Sequence, residues 1–126
     1  MTVFRPAARQ SAERRGRRSE LFAALLLLAK GYRVLGRRVR TKAGEIDLIA
    51  RSPRGVLCFV EVKFRERQES AREAVRMPQQ LRIARAAQLY LARYPALAAG
   101  GVRFDLVTVA RGRLPRHLPD AWQAQE

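Results

Sequence analysis

Residues 44–64 read Gly-Glu-Ile-Asp-Leu-Ile-Ala-Arg-Ser-Pro-Arg-Gly-Val-Leu-Cys-Phe-Val-Glu-Val-Lys-Phe, and this stretch decides the fold. Residues 45–51 and 56–64 are two apolar runs of strand length, separated by Pro53-Arg54-Gly55. Proline followed two residues later by glycine suits a type I turn closed by a residue in the left-handed region. That loop sets a register in which Ser52 faces Val56, Ile49 faces Phe59, Asp47 faces Glu61 and Glu45 faces Lys63. Because strand side chains alternate, Glu45, Asp47, Glu61 and Lys63 are expected on one face, with Ile46, Leu48, Cys58, Val60 and Val62 filling the other. One face is then core and the other carries three carboxylates and a lysine. Ionised groups held on apolar strands need water, a paired charge or a cation.

Other elements follow on either side of the hairpin. Residues 1–18 carry six arginines and little apolar content, and are expected to form a basic, mobile arm. Ser19 can cap a helix over residues 20–30, with Glu20 in its first turn and Gly31 at its stop. Residues 32–40 alternate weakly as a strand, and residues 41–44 form its turn. A short helix is expected near residues 70–76. A longer one runs from Pro78 to about Tyr94, burying Ile83, Ala84, Ala87, Tyr90 and Leu91. After Pro95 and Gly100-Gly101, residues 102–110 read as a fourth strand that offers Phe104, Leu106 and Val107 for burial. The remaining tail is expected to be irregular, anchored by Trp122. The order is therefore αβββααβ, an α/β fold with residues 19–126 as a single domain.

Composition removes several function classes. Among 126 residues, 26 Lys plus Arg against 11 Asp plus Glu leave a net charge of +15, which favours a polyanionic partner. Arginine supplies 23 of those 26, a skew that GC-rich coding also produces. One cysteine, Cys58, allows no intrachain disulfide and fits a cytoplasmic protein. A single histidine, His117, argues against His/Cys zinc sites and hydrolase triads, and no glycine-rich phosphate loop is present. Arg14-Arg15-Gly16-Arg17-Arg18 before an apolar run looks superficially like an export signal. The run is short, Lys30-Gly31 ends it, and no small-residue cleavage site follows, so neither export nor a membrane span is expected.

The acidic hairpin suits phosphodiester hydrolysis, which uses a divalent ion to polarise the phosphoryl oxygen and a positioned water to attack in line. Asp47 and Glu61 offer oxygen ligands for Mg2+ or Mn2+, with the Val62 carbonyl and a substrate phosphate completing the shell. Lys63 projects on the same side to orient water or stabilise developing charge. The same spacing also fits a cross-strand Glu45–Lys63 ion pair beside two solvated carboxylates. Opposed like charges weaken that alternative, since they destabilise a hairpin unless a cation intervenes.

Residues 16–122 resemble the YraN-like family of uncharacterised bacterial proteins, themselves similar to archaeal Holliday junction resolvases of the restriction-endonuclease-like superfamily. The resemblance rests on residues 16–20, Gly31-Tyr32, Gly44-Glu45-Ile46-Asp47-Leu48-Ile49, Phe59-Val60-Glu61-Val62-Lys63, Ala86-Ala87 with Tyr90-Leu91, Arg103-Phe104-Asp105 and residues 117–122. It implies a mixed central sheet flanked by helices, with Asp47, Glu61 and Lys63 as metal-binding and catalytic residues. It implies Glu20 as a further acidic catalytic residue from the first helix; a favourable first-turn charge explains Glu20 almost as well. Two positions depart from the superfamily pattern. Ile46 stands where a proline usually precedes the aspartate, and Gln79 stands where the long helix is expected to start with a lysine. Gln79 keeps a hydrogen-bond donor without the charge, and Arg82 or Arg76 can compensate.

Together these readings imply a metal-dependent endonuclease acting on DNA, with branched or structured DNA as a substrate class. Arg14, Arg15, Arg17, Arg18, Gln79 and Arg82 are its expected phosphate contacts. Symmetric cutting of two strands suits a homodimer. The rival readings are a noncatalytic nucleic-acid-binding module of the same fold and a basic interaction protein within a nucleic-acid assembly. Arg103 and Asp105 are expected to form a structural ion pair rather than to act in catalysis.

Overall fold

The computed structural model describes residues 7–65 and 75–124, with side chains from residue 17 onward. The elements are α1 (Ala7–Ala29), β1 (Arg33–Thr41), β2 (Gly44–Arg51), β3 (Leu57–Arg65), α2 (Met77–Arg93), a 3-10 turn (Pro95–Ala98), β4 (Val102–Ala110) and β5 (Arg116–Trp122). The strands form one mixed sheet in the order β1-β2-β3-β4-β5. Only β3 and β4 run parallel, and α2 lies on the crossover between them. The chain is thus an α/β protein with a mixed central sheet flanked by helices, and no described helix is long and apolar enough to cross a membrane.

The loop chemistry sets the β2–β3 register as expected. Leu48 pairs with Val60, Ile49 with Phe59, Ala50 with Cys58 and Arg51 with Leu57. Gly55 takes φ 89°, its N–H donates to the Ser52 carbonyl at 2.9 Å, and the Ser52 hydroxyl accepts the Val56 N–H at 3.0 Å. A left-handed third loop residue is what glycine supplies at least cost.

Both sheet faces are core, which corrects the expectation of one apolar and one polar face. On one side α2 sets Ile83, Ala86 and Ala87 against Ile46, Ile49, Leu57, Phe59, Phe104 and Leu106. On the other, α1 sets Ala23, Ala24 and Leu27 against Leu48, Ala50, Cys58, Val60 and Val107. Phe59 stacks on Phe104 at 5.8 Å between centroids, and Phe104 on Trp122 at 4.2 Å. Ile46 and Leu48 thus pack on opposite faces although they are two residues apart. Opposite this step, β1 pairs Arg37 with Leu48 and Val39 with Ile46, and Arg38 between them takes φ 50°.

Three further expectations change. α1 starts at Ala7, so residues 7–18, read as an arm, belong to the helix. That segment is rich in alanine and arginine, both good helix formers, and its charge density concealed the propensity. The tail read as irregular contains β5, an edge strand that pairs Leu118 with Leu106 and His117 with Val107, and an edge tolerates Pro119. The short helix expected near residues 70–76 falls mostly on residues outside those described.

Candidate functional site

The site forms where β2 and β3 part. Their ladder ends at Leu48↔Val60; beyond it β2 stays with β1 as far as Thr41↔Gly44, while β3 stays with β4 as far as Arg65↔Ala110. The expected ladder pairs Asp47/Glu61 and Glu45/Lys63 lie past this fork and do not form. Asp47 takes over instead: its Oδ2 accepts the Val62 N–H at 2.8 Å, a hydrogen bond that a strand neighbour would otherwise have supplied.

Four expected residues meet electrostatically at the fork. Burial and then the neighbouring Glu61 charge push the Asp47 carboxyl up to about 7; Glu20 adds to the rise, whereas the Val62 N–H and Lys63 oppose it. Glu61 is buried, with Lys63 Nζ 3.1 Å from its Oε1. Lys63 therefore pairs with its neighbour along β3 and not with Glu45, which corrects the cross-strand ion pair weighed from spacing. Glu45 faces solvent and reaches Arg40 at 3.6 Å, an exposed pair of small energetic weight.

Glu20 arrives from α1 and is gripped by Arg38, whose Nε donates to its Oε2. That hydrogen bond is the largest cause that raises the Arg38 pKa further; burial, the next largest, opposes it, and the charges of Glu20, Glu45 and Asp47 add to the rise. Arg38 was not singled out in the sequence. The doublet Arg37-Arg38 interrupts the alternation of β1, which was the available signal, but nothing in it announces a positive φ at arginine.

The expected phosphate contacts are spread more widely. Arg17 and Arg18 are exposed on α1, while the side chains of Arg14 and Arg15 lie outside those described. Gln79 is half-buried in the first turn of α2. Arg82 lies along the β1–β2 turn, so close that a Cβ on Gly44 would stand 3.2 Å from its Cδ.

A second polar cluster sits on β4 and β5. Asp105 is fully buried and receives Arg103 Nε and Nη2 at 2.8 Å each, His117 at 2.8 Å and the Asp120 N–H at 3.0 Å. Burial alone would raise its carboxyl; these donors hold it down at about 2. Arg103 also donates to the Tyr32 hydroxyl at 2.7 Å, and His117 meets Lys30 through Nδ1. Arg103 and Asp105 are thus the ion pair read from sequence, and His117 is the member that was missed. Its position between Pro115 and Pro119 read as a loose tail.

As for a divalent ion, no three His, Cys, Asp or Glu side chains form a ready cage among the described residues. Asp47 and Glu61 still fit one, because magnesium commonly takes one or two carboxylates and draws its remaining ligands from water and substrate phosphate. A desolvated carboxyl raised by a neighbouring carboxylate is a group that a cation would stabilise.

The fork and its carboxylates define an α/β protein with a nuclease-like mixed sheet and an acidic site between two diverging strands. The chain belongs to the uncharacterised protein family UPF0102, whose model matches residues 19–109. It is 50% identical over 121 residues to UPF0102 protein amb4503 of Paramagnetospirillum magneticum, covering 92% of each chain. It is also 50% identical over 118 residues to UPF0102 protein Rleg2_4331 of Rhizobium leguminosarum, covering 94% of this chain and 96% of that one. A UPF0102 protein of Caulobacter vibrioides is 51% identical over 112 residues, covering 89% of each.

Proposed function

We propose that this protein is a metal-dependent endonuclease acting on DNA, with branched or otherwise structured DNA as its substrate class. The observation that carries the reading is the β2–β3 fork, where Asp47, held by the Val62 N–H, stands with the buried Glu61 and its partner Lys63 just past the end of the ladder. Burial and Glu61 push the Asp47 carboxyl up in keeping with it. Asp47 and Glu61 would hold Mg2+ or Mn2+. Such an ion supplies charge for the phosphoryl oxygen and lowers the pKa of water. Lys63, paired with Glu61 at 3.1 Å, would release that partner to stabilise charge on the phosphate or orient the attacking water. Glu20 would act as the further acidic group, held in position by Arg38. Arg14, Arg15, Arg17, Arg18 and Arg82 would follow phosphates, and Gln79 would donate a neutral hydrogen bond. A reduced, buried Cys58 suits a cytoplasmic setting.

A second reading, a noncatalytic DNA-binding module, is favoured by Gln79 in place of a charged residue and by Glu20 being taken up by Arg38. Incubation of the protein with duplex, single-stranded and four-way-junction DNA in magnesium, manganese or chelator separates the two. Cleavage that needs metal and disappears in Asp47→Ala and Lys63→Ala supports the enzyme. Salt-sensitive binding without cleavage supports the module. Cleavage unchanged in Asp47→Ala rejects the site.

A further inference from the structure

Away from the fork, a groove of about 580 Å³ runs between α1 and the loop joining β4 to β5, walled in part by Phe22, Val109, Leu114 and Pro115. Leu114, at the loop tip, is 91% exposed. The outer face of α1 continues this apolar surface: Leu21, Phe22, Leu25 and Leu28 are each about half exposed. Leu21, Leu25 and Leu28 follow one another at i, i+4 and i+7, the side of a surface helix that ordinarily carries charge. Clustered exposed apolar side chains of this kind mark interaction surfaces more often than chance scatter does.

The charges around the groove select the occupant. Arg18, Arg111 and Arg113 line it, Arg17 is exposed one residue before Arg18, and among the described residues no acidic side chain lines it. Glu20, the nearest carboxylate along α1, is engaged by Arg38. A second copy of the chain would bring the same arginines onto one another between two molecules of charge +15. A segment that carries apolar anchors on one side and carboxylates on the other satisfies both the walls and the rim. A volume of this size takes two or three side chains, as in helix-in-groove recognition.

We propose that the groove between α1 and the β4–β5 loop docks an acidic amphipathic helix of a partner protein. Its apolar side chains lie against Phe22, Val109 and Leu114, and its carboxylates meet Arg18, Arg111 and Arg113. None of Asp47, Glu61 and Lys63 lines the groove, but Arg18 does, so the helix would share that one residue with the phosphate contacts of the nuclease reading.

Fluorescence anisotropy of the full chain with a designed labelled peptide tests this, the probe carrying leucine at i, i+4 and i+7 and glutamate at most other positions. We expect saturable binding with Kd near or below about 100 μM, and at least tenfold weaker binding when the glutamates become glutamines. Leu114→Ser should weaken binding about fivefold, and Arg111→Glu combined with Arg113→Glu more than tenfold, while far-UV circular dichroism and Tm stay unchanged because these side chains are exposed. Any of four results overturns the proposal: no saturation by about 1 mM, equal binding of a scrambled peptide of the same composition, indifference to both variants, or retention on phosphatidylglycerol vesicles without peptide binding. A concentration-dependent dimer in sedimentation that Leu25→Ser abolishes would assign the face to a second copy, and would overturn it too.

Discussion

Replacing Asp47 by asparagine should stabilise the metal-free protein at alkaline pH, although it removes the residue on which the proposed chemistry depends. In the folded chain the Asp47 carboxyl titrates at about 7 against an ordinary 3.8, chiefly because of burial and then of Glu61. Below pH 4 it is neutral in both folded and unfolded chains and costs nothing. Between about 4 and 7 the unfolded chain ionises while the folded chain keeps its proton, so stability falls as pH rises; above about 7 the penalty is complete. The displacement of roughly three units corresponds to about 4 kcal/mol as an upper bound, and relaxation around a partly exposed group should reduce this to about 2–3 kcal/mol. Asparagine is neutral throughout, and its amide oxygen can still accept the Val62 N–H that Oδ2 now receives. Urea denaturation in chelator, for both proteins from pH 4 to 9, measures the effect. The two curves should meet near pH 4 and separate to about 2–3 kcal/mol at pH 8, with equal m values. Added magnesium at about a hundredfold over its Kd should then return about 2.7 kcal/mol to the wild type and nothing to the variant. A variant less stable than wild type at pH 8, or a separation independent of pH, would refute the placement of Asp47 in a desolvated, repulsive site.

Other substitutions probe the surrounding frame. Asp105→Ala should cost about 3–5 kcal/mol by denaturant midpoint, because Arg103 and His117 lose a fully buried partner. In the wild type the stability Asp105 contributes, about 2 kcal/mol, is complete above pH 4 and fades as pH falls through about 2, so the variant's acid transition should lose that part of its slope. Gly100→Ala should cost more than about 2 kcal/mol in the same assay, since a Cβ there would stand 2.2 Å from the Gly55 carbonyl oxygen, a backbone atom that cannot turn aside. Arg38→Gly should be more stable than Arg38→Ala by about 1 kcal/mol, because φ is 50° at this position; equal stabilities would show that the strain is not there.

What sequence alone made legible was local chemistry. Pro53-Arg54-Gly55 sets a hairpin register through contacts within five residues, and Ile83, Ala87 and Leu91 mark the buried side of α2 by their spacing alone. The misreadings involve distant partners. β5 exists because residues after Pro115 pair with β4 and because Asp105 takes both the His117 ring and the Asp120 N–H, and neither is visible in a segment with two prolines. The first half of α1 reads as an arm because charge density masks the helix propensity of alanine and arginine. At the site, Asp47, Glu61 and Lys63 were identifiable by type, but their pairing was not. That Lys63 pairs along its own strand and Glu45 turns to Arg40 follows from where the ladder ends.

The fork explains how a sheet covered on both faces accommodates these charges. β3 changes partners along its length, antiparallel to β2 near the turn and parallel to β4 throughout, so on the β2 side its edge loses its ladder after Val60. A buried N–H without an acceptor would cost about 1–3 kcal/mol, and the Asp47 carboxylate meets that need at Val62. The same hydrogen bond fixes the rotamer of Asp47 beside Glu61, so the group that closes the backbone is the one available to a cation. On the proposed function, structural and chemical roles would be coupled in this one side chain, and two substitutions separate them. Asp47→Asn keeps the acceptor and removes the charge, whereas Asp47→Ala removes both. If the proposed function holds, activity is lost in both, and alanine is less stable than asparagine by about 1–3 kcal/mol, the cost of the unpaired Val62 N–H.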